Sequence, residues 1–363
     1  MKLGILGLPN VGKSTLFNAI TRAGAEAANF PFCTIEPNVG VVAVPDERLE
    51  KLASLYDCKK ITPTAVEFFD IAGLVRGASK GEGLGNKFLG HIREVNALVH
   101  VVRCFEDPNI THVDGSVDPL RDIETIELEL ILSDLELVER QEAKAAKLAK
   151  NDKSLAKTAA LLARAKEALE AGKSLRALDV DEEEAKLLKG FNLLTDKPVL
   201  FAANISEEQL ASGEVGPLAE KVRALAESRG DGFVAISGKV EAELAELTDE
   251  ERADFLAELG VEGAGLDRLI KESYRLLGLM SFLTAGEKET RAWTIRRGAK
   301  APEAAGVIHS DFERGFIRAQ IVSYDDLMAC GSVAEARNRG LVRVEGKDYV
   351  MQEGDVVEFR FNV

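Results

Sequence analysis

Gly7-Leu8-Pro9-Asn10-Val11-Gly12-Lys13-Ser14-Thr15 satisfies the pattern G-x-x-x-x-G-K-[ST] with nothing inserted or missing. The preceding Lys2-Leu3-Gly4-Ile5-Leu6 reads as a short buried strand, and Leu16, Phe17, Ile20 and Thr21 follow at helical spacing. Strand, glycine-rich turn and helix together are the setting in which this pattern binds a polyphosphate. The glycines let the backbone N–H groups of Val11, Gly12 and Thr15 curl around an anion, and the helix N-terminus adds a favourable dipole. In such a loop Lys13 reaches the β- and γ-phosphate oxygens and the Ser14 hydroxyl binds Mg2+. The stretch predicts a nucleotide-binding α/β domain.

The rest of the 363 residues is long enough for further domains, each with its own core. A hydrophobic share of 46% and a charged share of 29% belong to a globular chain that needs no lipid. No apolar run approaches the length of a membrane span, and the N-terminus lacks the basic and apolar regions of an export signal. The expectation is a cytoplasmic protein with no membrane partner. Cys33, Cys58, Cys104 and Cys330 are scattered without C-x-x-C spacing, as reduced packing thiols would be. A formal charge of −15 argues against a general nucleic-acid coat, although a locally basic face is compatible with it.

Downstream residues extend the nucleotide reading. The proline-punctuated segment Asn29 to Asn38 reads as a loop, and Thr34 in it is the candidate for completing a Mg2+ shell when a γ-phosphate is present; an ordinary loop threonine is the alternative. Ala65-Val66-Glu67-Phe68-Phe69 is strand-like and ends in Asp70-Ile71-Ala72-Gly73. Asp70 there can hold Mg2+ through water, and the Gly73 N–H can meet the γ-phosphate. The next residue is Leu74, which has no donor or acceptor with which to orient an attacking water, the task of a glutamine in many GTPases. Following the buried strand Ala97 to Val102, a loop rich in turn-formers carries His112. It reads either as a solvated loop histidine or as the group that positions the water. His91 and His100 read as structural.

From Asp122 the texture becomes helical. Leu128, Ile131, Leu135 and Val138, then Leu155, Ala159, Leu162 and Leu169, predict two long helices joined at Asn151-Asp152 into an antiparallel coiled-coil hairpin. Lys144, Lys147, Lys150, Lys153 and Lys157 near its tip read first as a solvated face, with RNA contact as the alternative. The strand Pro198 to Ala203 then leads into Asn204-Ile205-Ser206-Glu207, where guanine-specific proteins carry N-K-x-D. With Ile205 and Glu207 in place of lysine and aspartate, the pairing with guanine's donors is lost and the preference relaxes or inverts. Ile205 can still pack on a purine. A later strand, Gly232 to Ile236, ends in Ser237-Gly238-Lys239, at the position of a base-closing loop. Beyond Gly278, strand-like Arg291 to Arg296, Phe316 to Val322 and Asp355 to Phe361 predict one small α+β domain. Arg291, Arg296, Arg297 and Lys300 cluster there around Trp293, either as an RNA-facing surface or as charges that blunt an edge strand.

The joint set of phosphate loop, Thr34-Ile35-Glu36-Pro37-Asn38, Asp70-Ile71-Ala72-Gly73-Leu74-Val75-Arg76-Gly77 and Asn204-Ile205-Ser206-Glu207 resembles the Obg-like ATPases of the YchF family over essentially the whole chain. The resemblance implies a Ras-like nucleotide domain over 1–125 and 194–279, a coiled-coil insertion over 126–193 and a TGS domain of β-grasp fold over 280–363. It also implies hydrolysis of ATP in preference to GTP, Mg2+ as cofactor, and association with the ribosome, the large subunit in particular. His112 matches the histidine proposed in that family to replace the missing glutamine. Asn10 matches an asparagine that in related enzymes helps bind K+. The expected site is therefore His112, Lys13 and Gly73 at the phosphates, Ser14, Thr34 and Asp70 at the metal, and Asn204, Ile205, Glu207, Ser237 and Gly238 at the base. The rival readings are an Obg-type GTPase and a nucleotide-gated adaptor without turnover.

Overall fold

A computed structural model describes residues 1–26, 38–71, 84–149, 152 and 155–362. They divide into two compact units, Met1–Val42 with Glu67–Ser273, and Ala43–Val66 with Tyr274–Val363.

The first unit is built on a six-stranded sheet. Its strands are β1 (Lys2–Leu6), β2 (Val39–Ala43), β4 (Ala65–Asp70), β5 (Ala97–Arg103), β6 (Val199–Asn204) and β7 (Gly232–Ile236), β3 being in the second unit. Their spatial order is β2-β4-β1-β5-β6-β7, and β4, β1, β5, β6 and β7 pair in parallel. Every residue of β5 and β6 is buried, and both strands are largely apolar without polar alternation, apart from His100 and the strand ends Arg103 and Asn204. The chain leaves β1 to build outward on both sides, with β4 on one flank and β5 on the other. That makes the carboxyl end of β1 the switch point of the sheet, where an open α/β fold binds its ligand. The phosphate loop follows β1 directly and runs into the helix Lys13–Glu26. This is the Ras-like P-loop arrangement.

The helical insertion lies between β5 and β6. Its first helix, Pro119–Ala149, starts three residues before the position expected at Asp122. Asp118 accounts for the difference, because its carboxylate accepts the N–H groups of Leu120 and Arg121 at 3.2 and 3.3 Å, with Pro119 at the first helical position. Val138 packs with Leu161, Leu162, Ala165 and Leu169 of the returning helix Ala156–Glu170, and with Leu188 of the helix Glu182–Phe191. The return to the sheet is fixed by Asp134, fully buried, which accepts the Leu194 and Thr195 N–H groups and the Thr195 hydroxyl at 2.8–3.0 Å. No helix among the described residues is long and apolar enough to cross a membrane.

The second unit holds a sheet of order β11-β10-β12-β8-β9-β3, with β3 Ile61–Thr62, β8 Leu279–Thr284, β9 Thr290–Arg296, β10 Phe316–Ser323, β11 Arg343–Glu345 and β12 Asp355–Phe361. Residues 43–66, read from the sequence with the nucleotide domain, belong here by contact. β3 pairs with β9, and Leu49 and Leu52 pack with Leu283, Ala292 and Leu327. A propensity reading cannot see such a two-residue edge strand. The cationic cluster of this unit is locally partnered: Arg291 lies 4.0 Å from the Trp293 ring centre, and Lys300 pairs with Asp348 at 2.8 Å.

Candidate nucleotide site

The phosphate loop owes its shape to two residues in the left-handed region, Asn10 at φ +65° and Gly12 at φ +92°. Asparagine is among the few side chains that tolerate this region. At Gly12 a second constraint applies, because a Cβ there would stand 2.2 Å from Nδ2 of Asn204. That close approach has a purpose. Asn204, at the end of β6 and buried, donates from Nδ2 to the Val11 carbonyl at 2.8 Å, and its Oδ1 accepts the Gly238 N–H at 2.9 Å. The side chain expected only at the base thus also fastens the phosphate loop to the loop after β7. One amide hydrogen and one lone pair remain for a ligand.

At the phosphate end, the Lys13 ammonium bonds to the Asp70 carboxylate at the tip of β4. Lys13 is buried to 9% exposure, so the pair neutralises a cation that would otherwise stand in a partly dry pocket. Ser14 and Thr15, the next residues of the helix, are exposed and free to meet phosphate and metal. A hydroxyl at Ser14 and a carboxylate at Asp70 are hard oxygen donors of the kind Mg2+ takes, and the described part of the site fits that ion. Thr34, Gly73 and Leu74 lie outside the described residues.

From the loop a cavity of about 680 Å³ extends toward the base end, large enough for a nucleotide. Ile205, Glu207, Ser237 and Gly238, the residues expected at the base, line it. Ser206 sets the direction of Glu207. Its hydroxyl accepts the Gln209 N–H and the Gln209 side chain returns to the Ser206 N–H, a capping box that starts the helix Glu207–Ser212. Glu207 is not a free acceptor, because Lys239 donates to its Oε2 at 2.6 Å, and this contact raises the Lys239 pKa. The buried Ser237 hydroxyl finds no hydrogen-bond partner among the described residues, while its residue borders the cavity.

His112 stands elsewhere. It is buried and not among the residues that line the cavity. Its Nδ1 accepts the Asp114 N–H at 3.1 Å, so Nε2 carries the proton and donates to Asp122 at 2.8 Å. Both ring nitrogens are occupied, and neither can serve a water in this arrangement. One residue back, the Thr111 carbonyl accepts from the Asn10 amide at 3.1 Å, which joins the phosphate loop to the histidine's own loop. His100 is structural as expected: full burial, with the Arg176 charge second, lowers its pKa to about 3. Burial pushes the Cys104 thiol up to about 12, consistent with a packing role. Three residues of this region escaped the sequence reading. Asp122 passed only as the start of a helical texture. Lys239 passed as part of a closing loop. Arg103 drew no attention, although a cation ending a run as apolar as Ala97 to Val102 is itself a signal.

Residues 2–133 match the family model described as 50S ribosome-binding GTPase, and residues 279–362 match the C-terminal model of YchF GTPases, described as a protein of unknown function. The chain is 58% identical over 361 residues to the ribosome-binding ATPase YchF of Bacillus subtilis, covering 99% of both chains. With the protein of that name from Escherichia coli O157:H7 it shares 52% over 363 residues, covering 100% of this chain and 99% of the relative. The solved structure of the Schizosaccharomyces pombe YchF GTPase superposes with a TM-score of 0.89 at 39% identity, covering 99% of this chain and 97% of that one. Phosphate loop, rebuilt base element, helical insertion and full-length identity lead to one conclusion: the chain belongs to the YchF family.

Proposed function

We propose that this protein is an ATP-hydrolysing P-loop switch that associates with the ribosome in the cytoplasm. The carrying observation is the cavity that runs from Asn10, Gly12 and Thr15 of the phosphate loop to Ile205, Glu207 and Ser237, with Lys13 next to Gly12 in the same loop. Lys13 and the loop backbone hold the phosphates. Ser14 and Asp70, with Thr34, would hold Mg2+, which when bound would supply positive charge against the phosphates. Gly73 reads the γ-phosphate. The preference for ATP rests on the pairing of Glu207 with Lys239. Guanine needs a free carboxylate for its ring N–H and exocyclic amine, and a lysine already on that carboxylate competes with it. The curated relatives carry the name ATPase, which supports the same choice.

His112 acts on the water only after leaving Asp122. The Asn10 contact to Thr111 offers the route, because a nucleotide that draws the Asn10 side chain toward the phosphates loosens the residue next to His112. Ribosome association follows the relatives' name, and the large subunit is the proposed face. Against an overall charge of −15, contact with RNA falls to local surfaces, namely the TGS sheet around Arg291 and Trp293 or the hairpin. Steady-state hydrolysis with Mg2+ tests the reading. ATP turnover should exceed GTP turnover, and His112→Ala should lower kcat by about 10²-fold while leaving ATP affinity nearly intact. An unchanged kcat removes the histidine from the mechanism.

A further inference from the structure

Arg103, the last residue of β5, has the largest fully buried side chain among the described residues, at 1% exposure. Its guanidinium is wrapped by the loop that follows. Nε donates to the Phe105 carbonyl at 3.1 Å, Nη2 to Asp107 at 3.2 Å and Nη1 to Ile110 at 3.0 Å, and the Phe105 ring lies 4.9 Å from the charge. Three carbonyls from a six-residue stretch therefore converge on one planar fork. Only arginine offers donors in that geometry, since a lysine is a single point of charge. The same stretch walls the nucleotide cavity through Phe105, Asp107, Pro108 and Ile110. Arg103 is also paired in register with Asn204, and the Cys104 N–H donates to the Asn204 carbonyl at 2.8 Å, so the anchor sits beside the residue that braces the phosphate loop. Past Ile110 come Thr111, held by Asn10, and His112, held by Asp122.

We propose that Arg103 is a positioning residue for turnover. It fixes the 105–110 wall as a rigid base from which the Thr111–His112 end swings between Asp122 and the phosphates. Asn10 and Asp122 hold that end by single contacts that a ligand can exchange. Arg103 holds the near end by three that it cannot. This rests on the role given to His112 above, and the experiment separates the two ideas.

The test is a double-mutant cycle in the full chain, with Mg-ATP as probe. Arg103→Lys should lower kcat by about tenfold or more, while the Kd for ATP rises by much less, because a misplaced loop harms chemistry before binding. Added to His112→Ala, the same substitution should cost nothing further. Equal fold-losses in both backgrounds would overturn the proposal, since a merely structural defect does not depend on the histidine. A silent Arg103→Lys beside a damaging His112→Ala would also overturn it and leave the reading of His112 standing. A silent His112→Ala would overturn both. Should Arg103→Lys not fold, hydrogen exchange on the unaltered protein decides. The Asn109 and Ile110 amides should be strongly protected, and exchange at the rate of an open chain would contradict the anchor.

Discussion

The two ends of the nucleotide cavity are built on different terms. At the phosphate end, Asn10, Gly12, Lys13 and Ser14 belong to one contiguous loop, and Asp70 at the tip of a neighbouring strand is the distant group that meets it among the described residues. At the base end nothing is contiguous. Asn204 bonds to Val11 and Gly238, Glu207 pairs with Lys239, and Glu241 on the helix Gly238–Leu244 accepts the Gly265 N–H at 2.8 Å. The first end is held by local backbone geometry. The second is held by the buried polar groups of Asn204 and Glu241 and by the exposed pair of Glu207 with Lys239, each of which must find its partner across the fold. Damage at the phosphate end should therefore appear in chemistry, and damage at the base end in stability and selectivity.

The largest effect is expected at Lys13. Lys13→Met removes the cation proposed to hold the transferring phosphoryl group and should reduce kcat by about 10²- to 10³-fold at unchanged thermal stability. A matching loss of stability would break the contrast, because it would make Lys13 a structural partner of Asp70. The next effect belongs to Glu241. Burial, only partly offset by the Leu266 and Gly265 N–H groups, raises its pKa from 4.5 to about 7. The folded state then binds the proton more tightly than the unfolded chain. The stabilisation is full below pH 4.5 and is lost as pH rises through 7, a decline of about 3 kcal/mol. Denaturant unfolding at pH 5 and pH 8 should show most of this decline, and Glu241→Gln should flatten it; a parallel decline in the variant would acquit Glu241. The smallest effect is selective. Lys239→Met frees the Glu207 carboxylate and should improve GTP binding relative to ATP by several-fold, about 1 kcal/mol, without a change in kcat. Equal changes for both nucleotides would remove the pair from base selection.

The same contrast explains what could be read in advance. A contiguous motif carries its own geometry, so Lys13, Ser14 and the surrounding strand and helix were legible, as were the parallel sheet and the insertion between β5 and β6. The base end was legible in its lining, since Ile205, Glu207, Ser237 and Gly238 do border the cavity. Its partnerships were not. No spacing rule links Glu207 to Lys239, Asn204 to Val11, or His112 to Asp122, because each is set by register across the sheet or by a helix that starts at a capping residue. Arg103 was overlooked for a related reason. Its three acceptors are backbone carbonyls, which a sequence does not display. The assignment of residues 43–66 to the second unit rests on the two-residue pairing of β3 with β9 and on the packing of Leu49 and Leu52, contacts that a sequence does not display.

Equilibrium competition of ATP against GTP for the purified protein, with Mg2+ present, tests most directly whether this cavity is an adenine site. A clear ATP preference is expected, since Lys239 occupies the carboxylate that guanine would need. A clear GTP preference would contradict the base-end reading outright, return the chain to GTP chemistry, and leave only the phosphate end as described.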